Sequence, residues 1–160
     1  MAFLSIIIAF AARAFLVMLF LPFSALDKVL NFKAAVGQAE EVTPSRLLAT
    51  ALIFVGFCIE VLMSMAVLTG IADRMAAFVL AGYCGVTALL WKQFWKTPGF
   101  RLQGANGGRD TFWDFLKNLA LAGGFLVLAF GASSTGFQSF LAHPLASSHP
   151  YAQNKKAGEL

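Results

Sequence analysis

The chain has 160 residues, 59% of them apolar and only 12% charged, with a mean hydropathy of +0.74. A soluble domain carries roughly 45–50% apolar and about 25% charged residues, so this composition excludes an ordinary water-soluble domain and points to lipid as the main solvent. The net charge is +4, and the two cysteines, Cys58 and Cys84, both lie in apolar stretches, which excludes a disulfide-stapled secreted scaffold.

The first apolar stretch runs over residues 3–26 and is broken only by Arg13. Residues 1–12 contain no Lys or Arg, so the basic start of a cleavable leader is missing and the segment reads as a retained helix. Cleavage near Ala25 is the alternative. A polar connection from Lys28 to Arg46 follows, and Thr43-Pro44-Ser45 at its end has the character of a helix start. The second stretch, residues 47–72, is broken only by Glu60, and residues 71–74 make a tight hairpin into the third, residues 75–95. A second connection, Lys92–Arg109, holds Pro98, Gly99, Gly104, Asn106, Gly107 and Gly108 and reads as a loop. The fourth stretch is residues 112–131. Runs of this length without period-2 alternation predict helices, each near the roughly 20 residues needed to span a bilayer. The expected architecture is an all-α integral membrane four-helix bundle over residues 1–131. A polar C-terminal tail, residues 132–160, is expected to be flexible, with a short amphipathic turn near Phe137–Leu141.

Alternating direction puts both long connections on one side. Lys28, Lys33, Arg46, Lys92, Lys96, Arg101, Arg109 and Lys117 fall there, against Arg74 alone on the other; Lys155 and Lys156 are too far along the tail to count. Such an excess marks the cytoplasmic side, with both termini outside. Small residues at four-residue spacing, Ala77, Ala81 and Gly85 on the third helix and Ala120 and Gly124 on the fourth, are candidate sites of close helix approach.

Arg13 and Glu60 are the strongest local signal, because a charge at mid-bilayer costs about 2.5–3.5 kcal/mol on insertion scales. Arg13 lies 14 residues before Asp27, and Glu60 lies 14 residues after Arg46. Equal depth on antiparallel neighbours predicts an ion pair, which serves either to fix helix register or as a proton relay or polar ligand site. Nearer the connections, Ser24, Asp27, Lys28, Lys92, Lys117 and Asn118, with Trp91, Trp95 and Trp113, suggest a polar pocket with aromatic walls. Asp27 has Lys117 or Lys28 as its candidate partner. Snorkelling and an aromatic belt are the plain alternative. Cys58 and Cys84 fall at similar depth, but little nearby would activate a thiol. The histidines, His143 and His149, both lie in the tail. No helix therefore supplies an imidazole for haem, and no zinc pattern or phosphate-binding glycine motif is present. No metal and no nucleic-acid partner are expected.

Three blocks carry a resemblance. Arg13 followed by the apolar run to Leu26-Asp27-Lys28-Val29-Leu30-Asn31-Phe32 is similar to the first-helix signature of the DoxX family. Ile59-Glu60-Val61-Leu62 with Gly70-Ile71-Ala72-Asp73-Arg74-Met75-Ala76-Ala77 resembles its second block, and Phe115 to Gly124 its last. The likeness covers about residues 10–131 in the family's order and spacing. In one departure, Lys92 stands where the family often has a His, three residues before Trp95. The resemblance implies a four-helix protein of the bacterial cytoplasmic membrane. Relatives are linked to thiosulfate:quinone oxidoreductase and to membrane-bound redox complexes with soluble partners. It therefore implies a membrane subunit serving an oxidoreductase, with quinone as the candidate cofactor. Arg13, Glu60, Asp27, Lys117, Asn118 and Trp91 are the residues proposed to bind it. Membrane lipid and other subunits, or a homo-oligomer, are the implied partners. The alternatives are a structural or assembly subunit without its own site, and a small transporter that would need an oligomer to enclose a path. No nucleophile or cofactor motif points to catalysis by this chain alone.

Overall fold

In lipid, every backbone N–H and C=O must find its partner within the protein, so long apolar runs become helices. The computed structural model describes residues 2–133 and 135–152. In order, α1 (Ala2–Val17), a π-type stretch (Leu19–Ser24) and α2 (Ala25–Leu30) form the first span, and α3 (Phe32–Glu40) lies in the connection. Then come α4 (Arg46–Thr69), α5 (Asp73–Trp91), a 3₁₀ turn (Phe94–Lys96), α6 (Gly107–Phe130) and the short α7 (Gly136–Ala142). Four stretches are long and apolar enough to cross a membrane: Phe3–Leu30, Arg46–Thr69, Asp73–Lys96 and Gly107–Phe130. The chain is an all-α membrane helical bundle. Its outer surface agrees: Phe3, Phe15 and Leu47 are 76%, 71% and 82% exposed, a bulky apolar surface that fits a lipid surrounding.

The first span is not one straight helix. Pro22 has no N–H to give to the ladder, and Leu21 leaves the helical region at φ −120°, ψ 109°, before a cis Leu21–Pro22 peptide. α4 begins where the sequence places it: the Ser45 hydroxyl accepts the Leu48 N–H at 3.2 Å, satisfying one of the unpaired first-turn donors. It ends at Gly70, which turns left-handed at φ 76°, the usual helix stop. α6 starts five residues before the expected 112, because Asn106 accepts the Arg109 N–H at 2.8 Å. That cap outweighs the two glycines that open the helix. α5 ends at Trp91 rather than 95.

The interior gathers around Val17, Phe20, Val67, Leu80, Phe125 and Ala129, with Phe20 tilted against Phe125 at 5.9 Å. Ala77 and Ala81 of the small-residue stripe are buried there. Gly85 has nothing within 4 Å of a Cβ position and Ala120 is exposed, so close approach does not extend to them. Gly124 faces Leu16 of α1 instead. A second, smaller cluster packs Val36 and Ala39 of α3 onto Ala49 of α4, beside Ile53 and Trp91.

The C-terminal segment, expected to be poorly ordered, is placed against the hairpin end as far as Ala152. Arg74 Nε donates to Ala129 O at 2.8 Å and Nη2 to Gly136 O at 3.2 Å, so one guanidinium covers the end of α6 and holds α7. Phe140 on α7 is buried against Phe130 and Phe78. Beyond it, Tyr151 Oη donates to Leu68 O, and Pro150 sits where a Gly70 side chain would be, 2.8 Å from an ideal Cβ. Lys155 and Lys156 lie outside the described residues. Gly70→Ala is expected to destabilise the protein by about 1–2 kcal/mol from left-handed backbone alone, and further by displacing Pro150. Thermal unfolding in mild detergent checks this against Gly82→Ala, which meets nothing within 4 Å and should be neutral or stabilising by up to about 1 kcal/mol.

Candidate functional site

The interior holds two ionic clusters at different depths. The outer one lies at the hairpin end. Arg13 Nη2 is 2.9 Å from Asp73 Oδ2, Nη1 donates to Val67 O at 3.1 Å, and Nη2 also donates to Ser148 Oγ at 2.7 Å. Ser148 then gives its N–H to Asp73 Oδ1 at 2.9 Å and its hydroxyl to Oδ2 at 2.6 Å. Asp73 is wholly buried and Arg13 nearly so. Val67 lies in the last turn of α4, where carbonyls lack helical partners, so the guanidinium fills that gap too.

The inner cluster centres on Glu60, which is 1% exposed. Lys28 Nζ contacts Glu60 Oε1 at 2.7 Å and Oε2 at 2.9 Å and donates to Ser24 Oγ at 2.7 Å. Ser24 Oγ donates to Glu60 Oε1 at 3.0 Å and Tyr83 Oη to the same oxygen at 2.7 Å. A buried carboxylate is held by a cation and two hydroxyls, the arrangement such a group needs in a medium of low dielectric.

The expected Arg13–Glu60 pair is therefore not formed, and side-chain direction explains why. Side chains lean toward their helix's N-terminus. On antiparallel α1 and α4 those ends lie on opposite sides, so from equal depth Arg13 reaches toward the hairpin and Glu60 toward the connections. The extended Leu21 adds further separation. Lys28, leaning back along α2 past Ser24, takes the place that Arg13 was expected to fill.

Beside the inner cluster lies a cavity of about 600 Å³ between α2, α3, α4 and α5, with Ser24, Lys28 and Tyr83 at its polar end and Gln38, Trp91 and Lys92 toward the connections. Asp27 and Trp91 line it. Glu60 stands behind Ser24, Lys28 and Tyr83 rather than at the wall. Asp27 accepts a hydrogen bond from Asn31 Nδ2 at 2.7 Å and meets neither Lys117 nor Lys28. Lys117 and Asn118 do not join the cavity: Lys117 pairs with Asp114 at 3.2 Å, and Asn118 Nδ2 donates to Asp114 O at 2.9 Å. Both ride on α6, which packs on α5 and is screened from α2. Lys92 bridges toward that side, 3.4 Å from Asp114. Trp95 and Trp113 belong to a separate aromatic group with Phe94, Phe112 and Phe115.

Cys58 and Cys84 are both free thiols, and among the described residues no group of three His, Cys, Asp or Glu side chains is placed to hold a metal. Ser64, buried one turn beyond Glu60, is the one buried side-chain polar atom among the described residues without a hydrogen-bond partner.

Sequence reasoning missed Tyr83, Asp73 and Ser148. Tyr83 was within reach: Glu60 stands ten residues before Gly70, and Tyr83 ten after Asp73, so the hairpin brings them level. Asp73 reads as a turn residue until its burial is seen, and no local pattern marks Ser148. No family model matches the chain, and no curated protein and no solved structure matches it either.

Proposed function

We propose that this chain is an integral membrane subunit of a quinone-linked redox system, and that the cavity between α2, α3, α4 and α5 receives the quinone head. One observation carries the reading: a cavity of about 600 Å³ within the bundle is lined by Lys28, Ser24 and Tyr83, all three fixed from behind by Glu60. Ligand sites typically span roughly 300–1,000 Å³ and combine apolar walls with few oriented polar groups. Ionisable groups at membrane depth mark ligand or proton sites by default. A quinone carbonyl accepts hydrogen bonds, and the Lys28 ammonium, with three N–H donors, supplies one on releasing Ser24 Oγ; the single hydroxyl protons of Tyr83 and Ser24 are given to Glu60. The electrons would pass to or from a partner subunit. The sequence resemblance to the DoxX family points the same way, and the positive excess of the two connections supports a bacterial cytoplasmic membrane with those connections inside.

Titration of the purified protein in lipid nanodiscs with a benzoquinone, read by quenching of tryptophan fluorescence, tests this. Saturable binding is expected, weakened about tenfold or more by Lys28→Gln, the scale of a lost charged hydrogen bond. Wild-type protein that shows only linear, partition-like quenching rejects the proposal. A structural or assembly role is the second reading, favoured by the commitment of Lys28 to Ser24 and both Glu60 oxygens. Under it Lys28→Gln lowers yield and leaves quinone quenching unchanged.

A further inference from the structure

Lys28 faces two spaces. On the far side of its stem from the cavity is a slot of about 180 Å³ between α2 and α4, lined by Lys28, Val29, Phe32, Ile53, Phe54 and Phe57 and presenting carbon alone. Lys28 and Ile53 line both spaces, which places the slot directly beside the cavity. The slot opens to lipid: Val29 and Phe54 are each 62% exposed on the outer face of apolar spans. The way in from water is different. α3 lies over the connection end of the cavity, with Val36 and Ala39 packed on Ala49 and the Trp91 indole N–H tied to Gln38 O at 3.3 Å.

We infer that the ligand of this cavity carries a long apolar tail and enters sideways from the bilayer through the α2–α4 slot, where the tail remains. The inference rests on the cavity being a ligand site, as proposed above. Depth agrees with it. Lys28 Nζ reaches as far along α4 as Glu60, and the slot residues Ile53, Phe54 and Phe57 stand between Arg46 and Glu60 within the apolar part of α4, so a chain leaving between them enters hydrocarbon. A molecule lying across Lys28 would keep its polar head in the cavity and its chain in hydrocarbon, so no part of it has to cross the wrong solvent. A tail-less, water-soluble ligand gains nothing from a carbon-only slot and meets α3 on its own route.

The test uses a benzoquinone bearing a decyl tail with a photoreactive group at its end, illuminated with the full-length protein in nanodiscs and mapped by peptide mass spectrometry. Labels are expected on Phe32, Phe54 and Phe57, prevented by excess unlabelled decyl-benzoquinone. They should be lost in Val29→Trp, which fills the slot from an exposed position while leaving Lys28 and Tyr83 in place. Labels on α3 or on Lys92 that unlabelled quinone prevents would mean the ring is in the cavity but the tail leaves toward water, which overturns the lateral path alone. Labels spread over the lipid faces of α1 and α6, unaffected by competitor and by Lys28→Gln, would overturn the cavity reading and this inference together.

Discussion

Asp73→Ala is expected to cost about 3–5 kcal/mol, because it leaves the Arg13 guanidinium buried without its counter-charge. Arg13 is 7% exposed, so water does little to replace the lost partner. Ser148 loses its acceptor in the same step. The expected result is a protein of low yield that unfolds early on heating or on titration with a harsh detergent. Arg13→Leu combined with Asp73→Leu is expected to recover most of the loss, since apolar groups of similar volume often replace a buried pair at little cost. If the single and double variants unfold alike, the pair does not hold the hairpin end. Ser148→Ala, which removes two hydrogen bonds but no charge, should fall well short of Asp73→Ala, at about 1–3 kcal/mol.

Glu60→Ala separates structure from ligand binding. It strands the Lys28 ammonium and frees Ser24 and Tyr83, so a loss of about 3–5 kcal/mol is again expected. Lys28→Met with Glu60→Met should restore much of the stability, because the site lies among Gly56, Ile59 and other apolar walls. Under the quinone proposal, the double variant stays folded and binds no quinone. Recovery of stability together with wild-type quinone quenching would show that the ion pair sets helix register alone. Stability is read by thermal unfolding and binding by fluorescence on the same nanodisc preparation.

The four spans were legible because lipid leaves the backbone one choice, and twenty-residue apolar runs state it plainly. The Ser45 cap was legible for the same kind of reason, local chemistry at a fixed offset. What was not legible depended on direction or on distance along the chain. Counting residues put Arg13 and Glu60 at one depth, but a count treats side chains as points on an axis, and it assumed a straight first span through Leu21 and Pro22. The two long side chains lean opposite ways, and each finds a different partner. The helix at Phe32–Glu40 was hidden because its sequence is polar enough for a connection, and only Val36 and Ala39 are buried to hold it down. Ser148 lies 75 residues from Asp73, and a serine in a polar tail carries no mark of the carboxylate it will cover. Lys117 and Asn118 looked like pocket residues because depth was known and azimuth was not.

The interruption at Leu21 and Pro22 divides the work of the first span. Above it, α1 carries Arg13 and is riveted to the hairpin and to the C-terminal segment. Below it, α2 carries Ser24, Asp27 and Lys28 and forms one side of both the cavity and the slot. The regular helical ladder is interrupted at Leu21, and across it the Ala25 N–H reaches back to Phe20 O in a wider turn, so tilt in one half is handed on less rigidly to the other. Under the quinone proposal, lesions before residue 21 should therefore register as lost stability with quinone binding intact, and lesions after it as altered quinone binding in a protein whose hairpin end stays packed.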